Sequence, residues 1–364
     1  KISIYLGADQ GWSARMSEGK STTPPPCKMP NLNSILSIKN LHTQFFLDEG
    51  TVRAVDGVNL EIPRGKTLCV VGESGCGKSI TALSILQLIQ RPGRLTDGSI
   101  VLHQPAGDID LTQLSPDGKQ MRAIRGAEIA MIFQEPMTSL SPVHTVGSQI
   151  AEAVRLHMDV DKRGARERAV HIMERVGIPD AGRRFEQYSH EMSGGLRQRA
   201  MIAMALSCRP QILIADEPTT ALDVTIQAQI LALMRELQQE LDMAILLITH
   251  DLGVVAQMAD EVAVMYWGRI VEYGHVERIF ADPQHPYTEA LMRSLPGLHI
   301  ERKSKLEAIR GTVPDPFQHL EGCAFHPRCD ECQPGLCDVG GRPQLHAIEQ
   351  GHLTACLRRG EGAK

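Results

Sequence analysis

The amino-acid sequence predicts an α/β fold: a mainly parallel sheet with helices on both faces, carrying a helical insertion and followed by a small cysteine-bearing extension. Three observations predict it. Short apolar, β-branched runs alternate with stretches of 3.6-residue period, the pattern of buried strands joined by crossover helices. The strand-like run "TLCVV" passes through a glycine-rich turn straight into the helical stretch "GKSITALSILQLI". A middle region of amphipathic helices, free of strand-like runs, then precedes two more buried runs, "QILIAD" and "AILLITH".

Composition narrows the function. With 364 residues the chain can bury a large core with an appendage, or two to three domains. A charged fraction of 22% and a net charge of −5 leave no basic excess, so nucleic acid is not an expected partner. The apolar runs fall short of the roughly 20 residues needed to span a bilayer. The first residues, "KISIYLGADQGWSAR", lack the charged, apolar, small-residue order of a secretory signal, which places the protein in the cytoplasm. There, reducing thiol pools disfavour disulfides, and clustered cysteines are more often ligands or redox centres.

The elements follow in order. Residues 1–34, with "STTPPPCKMPN", read as a disordered leader containing Met16 and Met29, inside which the translation start is expected. A domain over 35–283 then begins with the strands "ILSIKNL", "GVNLEI" and "TLCVV". After "EIAMIFQ", a helical subdomain over about 135–206 holds "VGSQIAEAVRLH", "RGARERAVHIMERVG" and "GLRQRAMIAMAL". Following "QILIAD", Ile226, Ile230, Leu233, Leu237 and Leu241 recur every three or four residues and form a core-facing helical stripe. The extension, 284–364, opens on a helix, "PYTEALMRSL", and continues as a loop-rich tail.

The chemistry starts at "GESGCGKS". Gly72 to Ser79 fits G-x-x-x-x-G-K-[ST] between a predicted strand and helix, the context in which backbone N–H groups and a helix N-terminus cradle phosphates. Gly72, Ser74, Gly75, Cys76, Gly77, Lys78, Ser79 and Ile80 are the expected nucleotide contacts. Lys78 reaches the β- and γ-phosphates and Ser79 ligates Mg²⁺. "QILIADEP" ends a buried strand in two carboxylates, at the strand end where ligands bind in such sheets. Asp216 is placed to hold Mg²⁺ and Glu217 to orient or deprotonate the attacking water.

Between these elements lies "MSGGLRQR", Met192 to Arg199, which resembles the LSGGQ signature of ATP-binding cassette (ABC) ATPases. "IFQEP" with Gln134, "ALD" with Asp223 and "ITHD" with His250 are similar to that family's Q-loop, D-loop and switch histidine, in matching order across about residues 36–275. The resemblance implies a RecA-like phosphate-loop NTPase domain that hydrolyses ATP, with Glu217, His250 and Gln134 catalytic and Mg²⁺ held by Ser79, Gln134 and Asp216. It also implies that Ser193, Gly194 and Gly195 bind the γ-phosphate of an opposing cassette, at the positive end of a helix. The chain departs from the family in having Met192 and Leu196 where Leu and Gln are usual. An adenine-stacking aromatic is implied upstream, where "TQFFL" offers Phe45 and Phe46; strand alternation lets one of them face the base, and Phe45 is favoured.

The helical insertion resembles that of import-type cassettes, with a groove near "EPMTSLSPVHTVG" for a membrane subunit. "HPYTEAL" and the cysteine tail resemble the C-terminal extension of the oligopeptide/dipeptide importer branch. That resemblance implies an ATPase subunit at the cytoplasmic face of the cell membrane, working with a second ABC cassette, two transmembrane permeases and, indirectly, an extracytoplasmic solute-binding protein. The transported class it implies is peptides or related solutes. The alternative is a soluble ABC ATPase acting on ribosomes or DNA. Cys323, Cys329, Cys337 and Cys356, spaced C-x₅-C-x₇-C-x₁₈-C, are similar to a four-cysteine pattern associated in that branch with a 4Fe-4S cluster. Zn²⁺ or unliganded thiols remain alternatives, and the extra Cys332 competes with Cys337 for the third position.

Overall fold

The protein is described by a computed structural model, which covers residues 33–134, 139–220, 222–294, 309–318 and 320–359. Residues 1–32 of the expected leader lie outside the described residues. The strands are β1 (Ser34–Leu47), β2 (Gly50–Pro63), β3 (Thr67–Val71), β4 (Gly93–Gln104), β5 (Gly107–Asp110), β6 (Ile129–Ile132), β7 (Ile212–Asp216), β8 (Ala244–Thr249), β9 (Glu261–Tyr266), β10 (Arg269–His275), β11 (His346–Glu349) and β12 (His352–Thr354).

The large sheet runs β11-β12-β10-β9-β3-β8-β7-β6. Its β9-β3-β8-β7-β6 part is parallel, as the alternation of strands and helices predicts. Every residue of β3, β7 and β8 is buried, and successive residues go to opposite faces. Leu68 and Val70 join one apolar core while Cys69 and Val71 join the other; Ile212 and Ile214 split from Leu213 and Ala215 in the same way. A strand buried on both faces has no polar side to show, which is why these runs read as continuously apolar.

Four strands, two before β3 and two after the phosphate loop, lie outside the parallel sheet and form a separate antiparallel sheet in the order β2-β1-β4-β5. β1 and β2 are separated by two residues, so they close as a hairpin, and a hairpin is necessarily antiparallel. The tail also contributes more than loops: β12 pairs with β10 through Glu272↔Thr354 and Tyr273↔Leu353, continuing the large sheet.

The helices are α1 (Lys78–Ile85), α2 (Lys119–Ile124), α3 (Val146–His157), α4 (Lys162–Arg175), α5 (Ala181–Arg184), α6 (Gly194–Leu206), α7 (Val224–Leu241), α8 (Leu252–Met258), α9 (Val276–Ala281) and α10 (Pro286–Arg293). α1 is shorter than the periodicity predicts. The chain turns off after Ile85, with Gln87 at φ 50° and the Leu88 N–H bonded to the Leu83 carbonyl. On α7 the predicted stripe faces the core and is wider than predicted: Ile230 and Leu237 are buried and Ile226, Leu233 and Leu241 pack half-buried against the core, while Leu231, Met234 and Gln238 are buried as well. Among the described residues no helix is long and apolar enough to cross a membrane.

Candidate nucleotide-hydrolysis site

The turn from β3 into α1 is shaped by close approach. A Cβ on Gly72 would stand 2.1 Å from the Met265 carbonyl oxygen. One on Gly77, whose φ is +107°, would stand 2.2 Å from that of Ala54. Only glycine fits at either position. Gly77 occupies the cap of α1 and no side chain caps the helix, so first-turn N–H groups are open to an anion. Lys78 is buried, and its Nζ donates to the carbonyls of Gly72 at 2.7 Å and Glu73 at 3.0 Å. Cys76 is buried within the loop, and burial raises its thiol pKa, the setting of an inert rather than a reactive cysteine.

The ends of β6, β7 and β8 and the start of α1 bring further groups together. Ser79 Oγ donates to Asp216 Oδ1 at 3.1 Å. Burial raises the Asp216 pKa, opposed by the Ser79 hydrogen bond and the Lys78 charge, with Glu217 adding to the rise. A buried carboxylate beside a hydroxyl is a donor pair suited to a cation. Glu217 accepts from Gln134 Nε2 at 3.1 Å and Thr220 Oγ1 at 2.9 Å, and His250 Nδ1 lies 2.9 Å from its other oxygen. Burial alone would push Glu217 up, but the His250 and Thr220 hydrogen bonds, with the charges of His250 and Lys78, hold it below the ordinary carboxylate value. Its backbone sits at φ 47°, an uncommon conformation for a non-glycine residue. Thr220 was not apparent from the sequence, since a threonine after a strand is an ordinary loop residue.

The remaining predicted residues stand apart from this cluster. Ser193, exposed, occupies the cap of α6 without using its side chain as a cap, and Gly194 and Gly195 form the first turn. The two departures from the usual signature are accommodated by packing: Met192 is buried in the core and Leu196 packs half-buried against it. Asp223 caps α7, accepting the Ile226 N–H at 3.0 Å; Ala221 of the same motif lies outside the described residues, as do residues 135–138 of the expected groove. Phe45 is half-buried with its ring against Gly93, whereas Phe46 is 38% exposed with the Arg94 guanidinium 4.2 Å over its ring.

In the tail, Cys323, Cys329, Cys337 and Cys356 line one cavity of about 20 Å³, and Cys332 does not. All eight described cysteines are free thiols. Burial, together with the neighbouring thiols, pushes Cys323 to about 11 and Cys329 to about 12. The expected 4Fe-4S or Zn²⁺ ligation is not supported by this geometry. Among the described residues no group of three or more His, Cys, Asp or Glu side chains is arranged to hold a metal ion.

A phosphate loop, a strand-end acid pair whose first member is buried and a histidine within hydrogen-bond reach of the second acid define a nucleotide-hydrolysing cassette. Comparison with known proteins agrees. Residues 55–220 match the ABC transporter family and residues 271–337 the oligopeptide/dipeptide transporter C-terminal region. A probable peptide ABC transporter ATP-binding protein of Sinorhizobium fredii is 51% identical over 332 residues, 91% of this chain and 97% of that protein. A dipeptide transport ATP-binding protein of Bacillus subtilis is 52% identical over 299 residues, 82% of this chain and 87% of that protein. Among solved structures, a dimeric ATP-binding cassette bound to ADP and phosphate superimposes with a TM-score of 0.59 at 25% identity, covering 66% of this chain and 98% of that one. The chain belongs to the ABC transporter ATP-binding family, in the branch carrying the oligopeptide/dipeptide C-terminal region, and it is an ATPase.

Proposed function

We propose that this chain is the ATP-hydrolysing subunit of a peptide importer, acting at the cytoplasmic face of the membrane with a second cassette, two permeases and an external binding protein. The observation that carries the reading is the grouping of Ser79, Asp216, Glu217, His250 and Gln134 beside the phosphate loop. Supporting it are relatives named for peptide transport across nearly the whole chain. The division into a cassette over 35–283, with its helical subdomain at about 135–206, and an extension over 284–364 belongs to this proposal.

In the proposed mechanism Gly72 to Ile80 wrap the phosphates, and Lys78 moves its donors from loop carbonyls to the β- and γ-phosphates. Mg²⁺, held by Ser79, Gln134 and Asp216, would neutralise phosphate charge. Glu217, ionised at neutral pH, takes the proton of the attacking water, while His250 and Gln134 fix its orientation. Phe45, or the more exposed Phe46, stacks the adenine. Ser193, Gly194 and Gly195 of the partner cassette close the site, so ATP holds two cassettes together and hydrolysis releases them, with Asp223 at the interface. Isolation of the chain from solubilised membranes with two multi-spanning proteins is the expected result. Recovery with ribosomes or DNA instead would overturn the reading.

The tail thiols are proposed as a 4Fe-4S site, with Zn²⁺ the alternative, on the donor chemistry of four cysteines that line one cavity; among the described residues they are not arranged as a formed metal site. No step of the ATP cycle depends on it. Iron and acid-labile sulfide in anaerobically purified protein support the cluster, stoichiometric zinc replaces it, and neither metal removes the site.

A further inference from the structure

We infer that the C-terminal extension completes the phosphate loop, with Tyr287 and Arg328 acting as positioning residues for ATP binding through Glu73. This rests on the reading of Gly72 to Ser79 as the phosphate-binding loop. Glu73 occupies a variable position of that motif, yet both its backbone and its side chain are held from more than two hundred residues away. Its N–H donates to Tyr287 Oη at 2.8 Å across a separation of 214 residues. Its carboxylate takes a two-pronged ion pair from Arg328, Nη1 to Oε2 at 2.6 Å and Nη2 to Oε1 at 3.0 Å, across 255 residues.

These contacts come from a rigid support. Tyr287 is fully buried and the Arg328 side chain is 4% exposed. The rings of Tyr266, Tyr287 and Phe325 pack at centroid distances of 4.6 to 5.4 Å. Arg328 Nε donates to the Arg310 carbonyl at 2.9 Å, and Nη1 lies 3.4 Å from Tyr266 Oη. Upstream, buried Glu272 accepts the N–H groups of Gln284 and His285, and His285 Nδ1 accepts the Tyr287 N–H at 3.1 Å. The helix bearing Tyr287 is thereby fixed to β10 of the cassette.

The contact bears on ATP because of which peptide it holds. The Gly72 carbonyl, in the same peptide unit as the Glu73 N–H, accepts from Lys78 at 2.7 Å, and so does the Glu73 carbonyl at 3.0 Å; Lys78 is the residue expected to reach the phosphates, so the orientation of these peptides sets where the ammonium rests. A bidentate guanidinium fixes orientation as well as distance. Without these restraints the loop samples other arrangements, and apparent affinity falls in proportion to the fraction left competent. Packing alone would give a different result, lowering thermal stability and leaving ATP affinity unchanged.

The test uses the full chain, with binding of Mg-ATP measured by equilibrium titration, kcat and KM by phosphate release, and unfolding by calorimetry. Tyr287→Phe keeps the ring and removes one hydrogen bond. It is expected to raise the Kd for ATP about tenfold, with KM following and kcat at saturating ATP within about twofold. Glu73→Gln and Arg328→Gln are each expected to raise Kd, and their double variant to be no worse than the poorer single one, because Arg328 acts through Glu73. ATP binding within about twofold of wild type in both Tyr287→Phe and Arg328→Gln, while Lys78→Ala has lost it, overturns the inference alone. Wild-type ATP binding by Lys78→Ala overturns the phosphate-loop reading and the inference with it.

Discussion

Under the proposed mechanism, replacing Glu217 by glutamine should separate ATP binding from ATP hydrolysis. The amide has the carboxylate's shape, and the surrounding groups can still be satisfied: its oxygen accepts from Gln134 or Thr220, and its NH₂ donates to a neutral His250. What disappears is the negative charge and the base. A positioned general base is worth roughly 10²- to 10⁴-fold, or about 3 to 5 kcal/mol of barrier. Lys78, Ser79 and Asp216 are untouched, so the Kd for Mg-ATP should stay within about threefold of wild type. Single-turnover phosphate release should slow by at least about a hundredfold, and light scattering in ATP should show cassettes accumulating as pairs. Release within about threefold of the wild-type rate would remove Glu217 from the role of base.

Three other outcomes follow from the same geometry. Gly77→Ala places a Cβ against the Ala54 carbonyl at a backbone angle alanine rarely adopts, a strain of order 1–3 kcal/mol; at least about tenfold weaker ATP binding is expected by titration. Thr220→Val removes one hydrogen bond that holds Glu217 below the usual carboxylate range, so its pKa rises. On the proposed role of Glu217 as an ionised base, the acid limb of the pH–kcat/KM profile should move to higher pH, and a profile unchanged or moved downward contradicts the assignment. Asp223→Ala deletes the cap of α7 and should destabilise the protein by about 1 kcal/mol in denaturant unfolding.

Much of the site was legible because its determinants are contiguous. Gly72 to Ser79 carries its own glycines, lysine and helix start, and the apolar runs of β3, β7 and β8 announce strands buried on both faces. Thr220 was hidden because its role depends on the backbone turn at Glu217. The pairing of Arg328 with Glu73 was invisible because nothing in either local sequence refers to the other.

By itself, then, the sequence determined the strand-loop-helix unit, the strand-end acids and the helical insertion, since periodicity and backbone sterics act within a few residues. The tertiary structure decided the separate antiparallel sheet, through the β1–β2 hairpin and the β1–β4 pairing. It decided that Cys337 rather than Cys332 faces Cys323, Cys329 and Cys356. It also decided that the tail reaches the phosphate loop. The β1–β4 pairing and the contact of the tail with the phosphate loop join segments far apart in the chain, and loop closure costs little more for long connections than for short ones, so nothing in the local sequence announces them.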